Sequence, residues 1–76
     1  MNKQRRERIA DLLSKLVDIQ SEVLALKDEE QTAFDNLPDA IQESARGADM
    51  ETVIEHLDDV ESDLMDVIET LKTAAA

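Results

Sequence analysis

Residues 9–26 read IADLLSKLVDIQSEVLAL, and their apolar members advance by alternating steps of three and four: Ile9, Leu12, Leu16, Ile19, Val23, Leu26. That spacing is a heptad seam, the signature of a helix that buries one stripe against another helix. With Ile9 as position a, every a and d is apolar until Glu30, and no Gly or Pro interrupts the run from Asn2 to Phe34. The pattern predicts a first helix over residues 3–34. It stops at Asp35, Asn36, Leu37 and Pro38, because Pro38 pushes Leu37 out of helical geometry and Asp35 or Asn36 can cap the next helix.

A second seam starts at Met50 and runs through Val53, Leu57, Val60, Leu64, Val67, Leu71 and Ala74 without a polar residue. Asp49 is its natural N-cap. Gly47 suits the left-handed end of a short helix from Pro38 to Arg46, so the connector spans residues 35–48 and the last helix residues 49–73. The reading is all-α: a single domain over residues 1–76, an antiparallel helical hairpin of two long heptad helices joined by a short one. Facing seam residues should have numbers summing to about 80, as in Leu12 with Val67, and the bases Lys3, Arg5, Arg6, Arg8 and Lys15 should lie beside Asp63, Asp66 and Glu69.

The apolar stripe is wider than a single seam. Leu13, Phe34, Ile54 and Ile68 occupy e positions, and Ala10, Val17, Leu24 and Met65 occupy b positions. Monomers rarely expose so much apolar surface, and a copy of the same surface across a two-fold axis is the economical cover. A homodimer is therefore expected, a dimeric four-helix bundle whose oligomer surface includes Leu13, Val17, Leu24, Ile54, Met65 and Ile68. The monomeric alternative folds the connector, through Leu37, Ala40 and Ile41, over the extra stripe.

Composition excludes several function classes. The 76 residues hold 19 acids against 8 bases, no cysteine, and single copies of Gly, Pro and Phe. A chain this small has no room for a cleft and, lacking cysteine, no disulfide to staple it. Nucleophilic catalysis lacks its parts, since the one histidine, His56, would have to serve every serine and no Gly-rich turn is present. No enzyme activity is expected. A carboxylate di-metal bundle needs Glu-x-x-His, and His56 instead follows Glu55 directly and has Val53 three residues before it. Asp58, Asp59, Glu61 and Asp63 lack the turn glycine of a calcium loop. No cofactor or metal is expected, and His56 reads as a partly exposed g-position side chain among acids.

Charge is strongly polarised. Residues 28–69 carry 15 acids against Arg46 alone, a local charge of −14, whereas residues 1–15 carry five bases against Glu7 and Asp11, or +3. The net −11 disfavours direct nucleic-acid binding, even through Lys3, Arg5, Arg6 and Arg8, and it disfavours anionic membranes. The basic start resembles a signal n-region, but Asp11, Lys15, Asp18 and Glu22 break the apolar stretch behind it, so a cytoplasmic protein with no membrane segment is expected. The nine acids from Asp49 to Glu69 recur about every 3.8 Å along the helix axis, near the 3.4 Å spacing of phosphates along one DNA strand. Glu51, Glu55, Asp58, Asp59, Asp66 and Glu69, at b, c and f positions, form a candidate partner-binding face that would imitate nucleic acid toward a basic nucleic-acid-binding protein. The competing reading is that the same positions serve solubility on a structural oligomerisation or assembly module.

The stretch KDEEQTAFDNLP at residues 27–38, continuing to IQESARG at residues 41–47, resembles the helix end and connector of a family of short, acidic, uncharacterised helical proteins encoded by bacteriophages and prophages. The likeness in layout covers most of the chain, and these segments are its distinctive part. The resemblance implies a bacterial host cytoplasm and a phage accessory role, and it brings no catalytic residues with it.

Overall fold

The computed structural model covers residues 1–76 and contains three helices: α1 (Lys3–Asp35), α2 (Asp39–Gln42) and α3 (Ala45–Ala75). Asn2 caps α1, its side chain accepting from the Arg5 amide at 2.8 Å. Beyond Asn36 the chain extends through Pro38, whose ψ of 148° breaks the helix, and turns back through α2. The helices α1 and α3 pack against each other along their lengths as an antiparallel hairpin. The result is a thin rod with extents of 59 × 15 × 12 Å. Its radius of gyration is 17.3 Å, against about 11 Å for a compact domain of this length.

The connector departs from the sequence expectation. The short helix covers only Asp39–Gln42, and α3 begins at Ala45, four residues before the expected cap at Asp49. Ser44 takes the extended N-cap conformation of α3 and donates its hydroxyl to the Ile41 carbonyl. Asn36 closes α1, and Asp35 accepts from Gln31 Nε2 at 2.9 Å, so neither residue caps α2. Gly47 lies inside the first turn of α3, buried, and its φ is not positive. Its role is close approach: a Cβ there would sit 1.9 Å from the Gln42 carbonyl oxygen. The absence of a side chain lets α2 fold directly onto α3, and Gln42 Nε2 then reaches the Phe34 carbonyl at 3.0 Å.

The seam is also rotated from the one expected. The residues withdrawn from solvent along α1 are Ile9, Leu13, Leu16, Gln20, Val23, Lys27, Glu30 and Phe34, and along α3 Met50, Ile54, Leu57, Glu61, Leu64, Ile68, Leu71 and Ala75. These are a and e positions. The d residues Leu12, Ile19, Leu26, Val53, Val60 and Val67 are 42 to 53% exposed. Helical geometry supplies the reason. At about 100° per residue, positions d, a, e and b run in that order around one continuous arc, whose midpoint falls between a and e. A two-helix contact buries only the middle of such an arc. The hairpin bisects the stripe and leaves d on one flank and b on the other.

Three residues expected on the oligomer surface, Leu13, Ile54 and Ile68, therefore lie within the hairpin. Ile68, only 5% exposed, is the single buried large apolar side chain. Val17, Leu24 and Met65 are exposed, as expected. Leu37 is half-buried, while Ala40 and Ile41 remain exposed, so the connector leaves both flanks open.

Candidate functional site

No helix is long and apolar enough to cross a membrane, and no group of three or more His, Asp and Glu side chains converges as a metal ion would require. His56 is exposed. The concave features are open surface grooves. One, at the open end of the hairpin, is lined by Asp66, Val67, Thr70, Leu71 and Ala74. Another, at the same end, is lined by Met1, Arg5, Arg8, Ile9 and Leu12. Both are apolar at the floor and mix seam residues with the d residues Val67 and Leu12. Two surfaces remain that can bind something: an acidic ridge and an apolar flank.

Glu51, Glu55, Asp58, Asp59, Asp66 and Glu69 are all exposed along α3. They are not equally free. Asp58 accepts from Lys27 Nζ at 2.7 Å, and Glu69 lies 3.3 Å from Lys72 within its own helix. Glu51, Glu55, Asp59 and Asp66 have no cationic partner, so their charge projects into solvent undiminished.

Lys27 carries information that heptad spacing alone does not reveal. It occupies an e position, half-withdrawn between the helices, where it bridges to Asp58 and, at 3.7 Å, to Glu61 of α3. The hydrogen bond to Asp58 raises its pKa above the usual 10.5, partial desolvation works against that rise, and the charges of Asp58 and Glu61 add to it. The residue numbers add to 85 and 88, so the hairpin is offset by more than a helical turn from the expected sum near 80. Leu12 and Val67 are accordingly not seam partners; each is 49% exposed.

The basic N-terminal segment also differs from expectation. Lys3, Arg5, Arg6, Arg8 and Lys15 make no ion pair with Asp63, Asp66 or Glu69; the ion pairs are those of Lys27 and Lys72. With no acid in the first turn of α1, the first-turn bases Lys3, Arg5 and Arg6 oppose the helix dipole, at about 0.3–1 kcal/mol each at low salt.

The apolar flank follows from the rotated seam. In an antiparallel pair the same heptad letter falls on the same side of both helices, so the d residues share one face: Leu12, Ile19 and Leu26 from α1, Val53, Val60 and Val67 from α3. Ala33 and Ala74 extend the row, and its polar members are Arg5 at the open end and Arg46 at the connector end. On the opposite face α1 offers Ala10, Val17 and Leu24, but α3 offers Glu51, Asp58, Met65 and Lys72. Only the d flank is apolar across both helices.

Comparison with protein-family models, with curated proteins and with solved structures gives no match.

Proposed function

We propose that this chain is a non-enzymatic protein-binding module that works as a dimeric four-helix bundle and presents the acidic ridge of α3 to a basic protein. The observation that carries the reading is the pair of unlike surfaces on one hairpin. A row of half-exposed apolar d residues calls for association with apolar surface. Exposed, largely unpaired carboxylates at b, c and f of α3 point away from that row and stay accessible when it is covered. The partner chemistry is cationic: a surface that normally binds nucleic-acid phosphates is attracted to a row of unpaired carboxylates by the same field. The resemblance of residues 27–47 to phage-encoded proteins supports placing the encounter in a bacterial host cytoplasm, with a host nucleic-acid-binding protein as the one blocked.

Capture of a purified basic nucleic-acid-binding protein by the immobilised chain tests this reading. Capture should weaken steeply as salt rises, because exposed charges are screened. Neutralising Glu55, Asp59 and Asp66 as Gln or Asn should abolish it, while neutralising Asp11, Asp18 and Asp28 on the outer face of α1 should leave most of it. Equal loss from both sets would mean that only bulk charge matters. No capture of any basic protein would leave the alternative, an assembly module whose acids serve solubility.

A further inference from the structure

We infer that the d flank is covered by a second copy of this chain stacked face to face and end over end, so that the basic open end of each hairpin lies on the acidic connector end of the other. The inference rests on the dimer proposed above and supplies its face and its direction.

The area has the right size. A compact protein of 8.5 kDa exposes about 4,700 Å², whereas this chain exposes 5637 Å². The excess, roughly 900 Å², matches the roughly 800 Å² that each partner contributes to a standard interface. The face is flat and continuous, because all its members share one heptad position on two adjacent helices. A second hairpin laid on it turns a two-helix slab into a four-helix bundle, in which the a residues beneath also become core.

Charge sets the direction. Two stackings obey two-fold symmetry: like ends together, or each open end over a connector end. Residues 21–63, the connector half of the hairpin, hold 14 acids against Lys27 and Arg46, net −12, and the remaining residues hold five acids against six bases, net +1. With like ends together, −12 lies on −12. The end-over-end stack places each −12 half against a +1 half, which is the favourable arrangement.

The flanking g positions agree in detail. Beside the d residues of α1 they are Arg8, Lys15, Glu22 and Glu29, two bases followed by two acids. End over end, α1 lies antiparallel on α1 of the other copy with Ile19 near the dyad. Arg8 then flanks the partner's Glu29, and Lys15 the partner's Glu22. These two bases have no partner within their own chain. Like ends together would instead bring Glu22 near the partner's Asp63 and Glu29 near the partner's His56, and would leave Lys15 beside an uncharged threonine. The end-over-end stack also lines both α3 helices along one side of the bundle, so two acidic ridges run side by side there.

A single label decides the direction. The chain has no cysteine, so a nitroxide on Gln4→Cys, an outward c position near the open end, reports one distance within the dimer by pulsed electron resonance. Gln4 lies 15 residues from Ile19, about 22 Å along the helix, so the end-over-end dimer predicts about 45–50 Å between labels. A distance under about 30 Å in a particle of two chains would overturn the inference while leaving the dimer standing. A one-chain mass by sedimentation at micromolar concentration would overturn both. Ile19→Glu should convert the labelled protein to monomer and remove the distance, whereas Val17→Glu on the other flank should keep it. Persistence of the distance in Ile19→Glu would show that the d flank is not the interface.

Discussion

The two flanks of the hairpin are built from neighbouring arcs of the same helices yet differ sharply. On the d flank both helices contribute branched apolar residues through the middle of the rod, Leu12, Ile19 and Leu26 from α1 and Val53, Val60 and Val67 from α3. On the b flank α1 is apolar only at Ala10, Val17 and Leu24, while α3 carries Glu51, Asp58, Met65 and Lys72. An apolar face is useful to a partner only when both walls of the slab agree, and here they agree on one side. In the proposed dimer the hairpin contact is half of a core, and the flank where the helices match supplies the other half.

The largest effect should come from charging that flank. Ile19→Glu with Val60→Glu should weaken self-association by at least 100-fold, because each buried carboxylate is desolvated without a partner, while Val17→Glu with Met65→Glu should change it less than about threefold. Analytical ultracentrifugation across a concentration series compares the pairs, and equal effects would erase the distinction between flanks.

Substitution at the seam should be the next most damaging. Ile68→Ala removes the one buried large apolar side chain and should cost about 3 kcal/mol of stability in chemical unfolding, whereas the same truncation at Met65 should cost far less. Gly47→Ala should follow at about 1–3 kcal/mol, since its methyl would collide with backbone of Gln42 and must force the α2–α3 corner open. Loss of protection from amide exchange should then concentrate around residues 36–50.

The smallest effect concerns the Lys27 bridge. Its raised pKa means that the pair's stabilisation is fully present below 10.5 and is lost as pH climbs through the higher folded value. Melting temperatures should fall from pH 9 to pH 12 somewhat more in the parent than in Lys27→Gln. Indistinguishable slopes would show that the bridge contributes nothing to the register.

The fold is legible in residues 9–26 and 50–74 because heptad spacing and the break at Pro38 are local signals. The rotation of the seam is not. An a/d assignment assumes a narrow stripe, and Leu13, Phe34, Ile54 and Ile68 widen it until the contact moves toward e; which part of a wide arc a hairpin buries depends on both helices together. Phe34 and Lys27, both at e, are the available clues. Gly47 misleads because glycine serves either a left-handed conformation or a close approach, and only three-dimensional neighbours distinguish them. The outward placement of the acids of α3 is legible, since b, c and f positions stay exposed under either seam.

In the proposed dimer the d flank meets a second copy. Filtered nuclear Overhauser spectra on a mixture of isotope-labelled and unlabelled chains read this directly, because they record only contacts between copies. The proposed dimer gives cross-chain contacts from the methyl groups of Leu12, Ile19, Leu26, Val53, Val60 and Val67, and none from Val17, Leu24 or Met65. Cross-chain contacts confined to the latter three, or none at all, would contradict it.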